Sequence, residues 1–477
     1  MSDFNRRQFL ENSMWAAALA AAGSSPLGAA EGPVRRVSPN EMLQAAVVGV
    51  KGRGSAHVAE LCKLPDVEVV AIVDVDENVI EGVMKTAEKK SGKKPAYYKD
   101  IRKMLEDKSI DLVSIATTNH THSLYSIWSM QAGKHVYVEK PVSHNVFEGR
   151  KVVEAARKYK RICQHGTQSR SSRGLKEAMK FLRSGALGKV QIARGLCYKS
   201  RGSIGHQPDS QPPAGVDYDL WLGPAPVRPF NRNRFHYNWH WFWDYGNGDI
   251  GNQGVHEMDR ARWGLGKDTL PTKVAAVGGR LGYEDQGETP NTMVAWMDYG
   301  DQQLIFEVRG LRTEKYKDAG IGVIFHCENG YMVNPSYSSA TAFDRDGKKI
   351  QSFDGGGDHF ANFVAAVKSG KPSDLNAEIE EGHLSAALCH LANCSYRVGQ
   401  KTTLDKANPF PGLEAATESF GRMKEHLAKN GVAANAPVMV GPVLSFDPKT
   451  EKFVGNEAAN KLLTREYRKP FVVPDQV

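Results

Sequence analysis

The feature that most narrows what this chain can fold into is a glycine-rich turn. Gly49-Val50-Lys51-Gly52-Arg53-Gly54 overlaps the end of a short apolar run over 45–50 and leads into a predicted helix over 55–64. A run that short, ending in Gly, is a buried parallel strand rather than a helix. In a dinucleotide turn, one Gly permits the tight bend and another lets the backbone approach the pyrophosphate. A third lets helix and strand pack closely, and the phosphates sit on the helix N-terminus. Gly49 and Gly54 hold the outer positions here. Lys51 replaces the middle Gly, so Gly52 takes that task one residue later and Arg53 offers a phosphate contact. Such a turn alone is weak, but the next strand ends at Asp74, 20 residues past Gly54. An acid there accepts hydrogen bonds from the adenosine ribose and repels a 2′-phosphate, so the register predicts NAD in preference to NADP.

The alternation continues. Strands are predicted over 67–73, 110–116 and 135–139, and helices over 77–90 and 122–132. Strands alternating with helices imply a parallel sheet with right-handed crossovers. After about residue 165 the texture changes. Strands over 189–198, 273–283, 292–299, 302–308 and 321–327 follow one another largely without helices, as in an antiparallel sheet. Helices are expected over 174–183, 358–368, 378–398 and 412–430, with an irregular tail to Val477. The fold class expected is α/β: a Rossmann-type doubly wound parallel sheet over 42–165, then an α+β domain with a large, mainly antiparallel open sheet over 166–400. Residues 401–477 form a C-terminal helix and extended tail.

Residues 1–30 read as an address rather than structure. Arg6-Arg7 precede Phe9-Leu10, an Ala-rich run reaches Ala22, and the small residues Gly28, Ala29 and Ala30 offer a cleavage point. This resembles a twin-arginine export signal, a route that carries proteins already folded and implies a periplasmic or extracytoplasmic destination. A freely diffusing nicotinamide cofactor would be scarce there, so a tightly bound one is expected. The apolar stretch over 14–22 is far below the ~20 residues that span a bilayer. Six Cys in 477 residues exclude a disulfide scaffold, and no Cys/His cluster suggests a metal. A net charge of +8, scattered rather than concentrated, excludes a nucleic-acid face and allows a mild preference for anionic groups.

His135-Val136-Tyr137-Val138-Glu139-Lys140-Pro141 ends a buried strand with a charged pair and a Pro. Ligands of open α/β sheets sit outside the carboxyl ends of the strands. Pro141 restricts Lys140 and so aims its amine. With the Gly turn, four further segments complete a pattern: Ala116-Thr117-Thr118-Asn119-His120-Thr121-His122, Gly166-Thr167-Gln168-Ser169-Arg170, Trp221-Leu222-Gly223-Pro224, and Gly251-Asn252-Gln253-Gly254-Val255-His256-Glu257-Met258-Asp259. Together they resemble the glucose–fructose oxidoreductase / inositol dehydrogenase (Gfo/Idh/MocA) family, from the Gly turn to at least Val398.

The resemblance implies NAD(P) in the first domain and a sugar or cyclitol against the open sheet of the second. That sheet often also forms a dimer face, so a homo-oligomer, dimer or tetramer, is expected. It assigns Lys140 as the catalytic lysine and His256 as the acid/base histidine. It places Gly49, Gly52, Arg53, Gly54, Asp74, Thr117, Asn119, His122, Glu139, Lys140 and Gln168 around the cofactor. Family members commonly carry Asp four residues before the histidine; here that place is Asn252. Asp259, three residues after His256, falls on the same helical face and is either a substitute or a surface or capping carboxylate.

Phe235 to Tyr245 packs seven aromatics into eleven residues. Aromatic faces stack on sugar C–H surfaces, so Trp241 and Asp244, with Trp221, are candidate substrate contacts; core packing is the alternative. The chemistry expected is hydride transfer from a carbinol, with Lys140 and His256 handling its proton. Two activities fit: an exported NAD-dependent sugar or polyol oxidoreductase, or a redox-neutral glycoside hydrolase or lyase working through a transient keto-sugar.

Overall fold

Six parallel strands form the first sheet of a computed structural model that describes residues 42–477; the twin-arginine stretch lies outside the described residues. They are β1 Leu43–Val48, β2 Val67–Val73, β3 Ala96–Tyr98, β4 Leu112–Ile115, β5 His135–Val138 and β6 Cys163–His165, in the order β3-β2-β1-β4-β5-β6. Helices α1 Arg53–Lys63, α2 Glu81–Ser91, α3 Ile101–Met104, α4 Asn119–Gln131 and α5 Val146–Lys158 make the crossovers. β4 and β5 are buried at every position, as strands covered on both faces must be. The buried residues of α1, Gly54, His57, Val58 and Leu61, recur at the spacing of one helical face. The strand order reverses between β1 and β4, and a crevice opens at such a reversal. The segments leaving β1 and β4 carry Gly49 and Thr117.

The second sheet contains twelve strands among the described residues. Its main path is β16-β15-β14-β13-β7-β12-β11-β10-β18-β17, with β19 joining β10 and β20. The strands are β7 Val190–Tyr198, β10 Lys273–Gly279, β11 Thr292–Asp298, β12 Gln303–Arg309, β13 Ile321–Cys327, β14 Gly330–Asn334, β15 Ser339–Asp344, β16 Lys349–Asp354, β17 Gln400–Thr403, β18 Pro437–Val440, β19 Leu444–Asp447 and β20 Lys452–Phe453. The short pair β8 Asp209–Ser210 and β9 Phe230–Asn231 stands apart. Every pairing in the large sheet is antiparallel except β7 with β12.

Alternate residues of β11 feed two cores. Met293, Ala295 and Met297 join the large core that also holds Met258, Ala261 and Leu265 of a covering helix, whereas Val294 and Trp296 meet Phe420, Met423 and Leu427 of another. Burial on both faces explains why the strand shows no polar alternation. The remaining helices are α6 Arg173–Arg183, α7 Tyr218–Leu222, α8 Gly248–Asn252, α9 Val255–Leu265, α10 His359–Ser369, α11 Ile379–Arg397, α12 Glu414–Lys429 and α13 Glu457–Asn460. Val152 and Ala156 of α5 share one core with Leu384, Leu388 and Leu391 of α11, so the two sheets are joined by a continuous apolar region.

The tail expected to be irregular instead supplies β18 to β20 and α13. It returns across the molecule: Arg150 pairs with Glu451 at 2.7 Å, and Arg468 donates to the Gly223 carbonyl at 2.9 Å. Phe471 and Val473 bury in the shared core.

Candidate functional site

A cavity of about 730 Å3 runs from the Gly turn to α9. That is within the ~300–1,000 Å3 of small-molecule sites. One wall is backbone. Gly49 has φ +77°, and a Cβ on Gly54 would lie 1.7 Å from the Gly49 carbonyl oxygen, so the turn and helix α1 meet only because Gly54 has no side chain. Gly52 caps α1 at φ +69° with open space beside it. Asp74, at the end of β2, accepts the Val50 N–H at 2.7 Å and the Asp76 N–H at 3.0 Å, which pins the turn to the neighbouring strand. Burial pushes its carboxyl up, while these N–H bonds oppose the shift. Each carboxylate oxygen still has a lone pair for a ribose hydroxyl. This cradle, at the N-terminus of α1, fits a dinucleotide.

Thr117 and Asn119 border the cavity at the end of β4. Asn119 Nδ2 donates to Asn247 Oδ1 of the second domain at 3.2 Å. The ring of His122 spans the carbonyls of Pro141 at 2.7 Å and Thr117 at 3.1 Å, tying the ends of β4 and β5 together. Glu139 is buried, and its Oε1 is met by Arg53 at 2.9 Å, His57 at 3.1 Å and Gln168 at 3.0 Å. Its other oxygen accepts the Lys140 N–H at 3.1 Å. Burial favours the neutral acid, but the bond from His57 and the charges of Arg53 and Lys140 hold the carboxyl well below its ordinary value. Arg53, expected on a phosphate, is thus held by Glu139 at the cavity edge.

Lys140 follows Glu139 directly, and its Nζ donates to the Asn252 carbonyl at 2.6 Å. Burial lowers its pKa, Glu139 opposes the shift, and Arg53 adds to it. His256, in the first turn of α9, lines the same cavity; among the described residues its buried Nδ1 has no hydrogen-bond partner, and its ring stands edge-on to Tyr337 with centroids 5.0 Å apart. Burial, then the charge of Lys140, holds His256 well below the usual histidine pKa, so the ring is neutral at neutral pH. Asn252 is present through its backbone carbonyl rather than as a replacement for a carboxylate.

Three expectations on this side need correction. Asp259 does not face the cavity: both oxygens accept Arg170 Nε at 2.9 Å, and Ser385 Oγ donates at 2.7 Å. Its partners Arg170 and Ser385 are buried, so Asp259 turns into the core while His256, three residues earlier on α9, faces the cavity. Trp241 is 2% exposed and stacks under Arg280 at 4.7 Å. Asp244 pairs with Arg228 at 2.5 Å. Neither lines the cavity. The aromatic run enters through Phe235, His236, Tyr237 and Trp239 instead, and Trp221 does line the site. Lys199, Gln253 and Tyr337 also line it and were not singled out from sequence. The position of Lys199 just past a strand end is the one local signal that marks it; Tyr337 lies in a loop with none.

The segment before α7 crosses the outer end of the cleft. Asp217 N–H donates to the Val75 carbonyl at 2.8 Å, Glu77 N–H to Gly215 at 3.2 Å, and Asn78 Nδ2 to Ala214 at 2.9 Å. His236 Nε2 meets Asp76 Oδ2 at 3.0 Å. Gly215, at φ +85°, has no side chain to keep Glu77 away.

Comparison with known proteins agrees with this geometry. Residues 43–167 match the GFO/IDH/MocA model, described as an oxidoreductase family with an NAD-binding Rossmann fold. Residues 174–423 match the C-terminal alpha/beta domain of the same family. A glycosyl hydrolase family 109 protein of Shewanella pealeana is 28% identical over 201 residues, 39% of this chain and 44% of that one. An inositol 2-dehydrogenase of Salmonella typhimurium is 29% identical over 160 residues, 33% of this chain and 46% of that one. The chain thus aligns with less than half the length of these relatives. Among solved structures, the WlbA dehydrogenase from Bordetella pertussis, in complex with NADH and UDP-GlcNAcA, has a TM-score of 0.57 at 18% identity, over 75% of this chain and 97% of that one. At that identity the likeness is one of fold.

Proposed function

Because this chain belongs to the GFO/IDH/MocA oxidoreductase family, we propose that it acts on a sugar, polyol or sugar derivative by hydride exchange with a nicotinamide dinucleotide held in the cleft. The observation that carries this reading is the convergence on one cavity of the Gly49–Gly54 cradle, the Lys140 amine and the unpartnered His256 Nδ1. The bound dinucleotide would supply a hydride acceptor for a carbinol carbon, and a donor for the reverse step. Gly49, Gly52 and Gly54 would let the backbone approach its phosphates, and Asp74 would receive the ribose hydroxyls, an arrangement that favours NAD over NADP.

The chain's own task is the proton. Lys140 donates one N–H to the Asn252 carbonyl, which fixes the direction of Nζ. In its neutral form the amine keeps a lone pair for the substrate hydroxyl. The lowered pKa raises the share of that form near neutrality. His256, held neutral, accepts or relays the same proton. As the C–H bond breaks, the O–H proton passes to one of these nitrogens and a carbonyl forms. Trp221, Tyr237 and Trp239 offer aromatic faces to the sugar.

A second reading is favoured by the segment bonded across the cleft through Val75, Glu77 and Asn78. A cofactor kept behind it suits a redox-neutral cycle, in which oxidation acidifies a neighbouring C–H, loss of that proton expels the glycosidic leaving group, water adds to the resulting unsaturated ketone in a hydrolase, and the hydride returns. In either case the twin-arginine N-terminus would deliver the protein already folded around its cofactor, and association through the second sheet belongs to the same reading.

The test uses purified protein without added cofactor. Sugars or cyclitols should produce a single reduction, seen in the near-ultraviolet absorbance of reduced nicotinamide, that stalls until an acceptor sugar is added. Multiple-turnover release of an aglycone from glycosides would favour the redox-neutral reading instead. Absence of both signals across the panel would remove the proposal.

A further inference from the structure

The substrate end of the cavity carries more positive charge than its own residues balance. Lys199 follows β7 directly and lines the cavity beside Gln253, His256 and Tyr337. Among the described residues its Nζ has one weak acceptor, Gln253 Oε1 at 3.4 Å. Gln253 is turned to present that oxygen, because its Nε2 donates to Tyr337 Oη at 2.8 Å and faces Glu257 at 3.3 Å.

The nearby carboxylates are committed elsewhere. Asp249 holds Arg201 through both oxygens, at 2.8 and 2.9 Å. Glu257 holds Arg260 at 2.6 Å, and Glu139 holds Arg53 and His57. Among the described residues, no carboxylate lies within ion-pair distance of Lys199 or Lys140. Both ammonium groups hang from consecutive residues, one on the Asn252 carbonyl and one on the Gln253 side chain. Both lysines line the same cavity, beside His256.

A neutral sugar seated there would strip water from Lys199 and give it no counter-charge, which is costly. An anionic group would turn the same burial into charge-assisted hydrogen bonds.

We infer that the substrate is an acidic sugar whose carboxylate or sulfate ester seats against Lys199 while its reacting carbinol faces Lys140 and His256. Lys199 is then a specificity-determining residue, and the inference rests on the sugar reading above. Tyr337 and Gln253 complete the subsite, the first as a hydroxyl donor and the second as the group that aims the ammonium.

Calorimetric titration of the purified full chain tests this without requiring turnover. Glucuronate, galacturonate and glucose 6-sulfate are compared with glucose and galactose. At least one acidic sugar should bind about tenfold or more tightly than its neutral counterpart, with the uronates and the sulfate ester distinguishing the two anions. Lys199→Met should erase that advantage, bringing acidic and neutral sugars to equal affinity, and Lys199→Arg should restore most of it. Equal or undetectable affinity for all five sugars overturns the inference, as does an advantage that survives in Lys199→Met. Acidic-sugar binding through Lys199 without hydride transfer would instead leave this subsite standing and defeat the proposed function.

Discussion

The two walls of the cavity are made by different means. The wall against β1 and β2 is backbone, contributed by neighbouring residues: the turn over 49–54, the acid that pins it, and the first turn of α1. The wall against α9 is side chains drawn from distant segments, with Lys140 from the first sheet meeting Lys199, Tyr237, His256 and Tyr337 from the second domain. A backbone wall works only when particular side chains are missing, so its substitutions disturb the fold. A side-chain wall is carried by elements that fold for other reasons, so its substitutions alter chemistry and leave the scaffold in place.

Gly54→Ala is the harshest test of that contrast. Its Cβ would press on a backbone carbonyl, which no side-chain rotation relieves. A loss of the order of 5 kcal/mol is expected in thermal or denaturant unfolding, together with loss of dinucleotide binding. Lys140→Met should do the reverse. Turnover should fall about 10³-fold, about 4 kcal/mol in the barrier, while the melting temperature and cofactor content stay near wild type. Should Lys140→Met unfold the protein or release the cofactor, the two walls are not separable.

Asp259→Ala sharpens the boundary of the side-chain wall. It would leave Arg170 buried beside an empty place, and a stability loss of about 3 kcal/mol is expected. The pH profile of the remaining activity should not move; a moved profile would return Asp259 to the proton path. For the wild type, kcat/KM should rise with pH along an acidic limb as Lys140 loses its proton, about tenfold per unit, with a midpoint below the 10.5 of a free lysine. That limb should vanish in the residual activity of Lys140→Met. Smallest is Gly52→Ala, where the new Cβ meets open space but the backbone at φ +69° and ψ −113° disfavours any L side chain, so about 2 kcal/mol is expected.

The same contrast explains what could be read from the sequence. The parallel domain was legible because each strand is a short buried run followed by a helix of regular period, and 67–73 is recovered to the residue as β2. The Gly turn and Asp74 were legible because their spacing is local. The edge strands β3 and β6 were missed, since three residues carry no period. The tail strands were missed because they are short and half-exposed, and they exist through pairing with β10 and β17. Lys140 and His256 were legible through the motifs around them. Trp241 and Asp244 were misplaced because composition does not say which face of an irregular aromatic segment turns inward; Phe235, His236, Tyr237 and Trp239 line the cavity, and Trp241, Phe242 and Tyr245 fold back into the core. Asp259 shows the limit of helical-face arithmetic, which gives a direction but not what waits there.

The proposed chemistry depends most on a nicotinamide dinucleotide occupying the crevice between β1 and β4. Small molecules released by denaturing the purified protein, identified and counted by mass spectrometry, test this most directly. About one NAD or NADH per chain is the expected result. A chain that releases none, and takes up none when calorimetry is run to saturating dinucleotide, contradicts it.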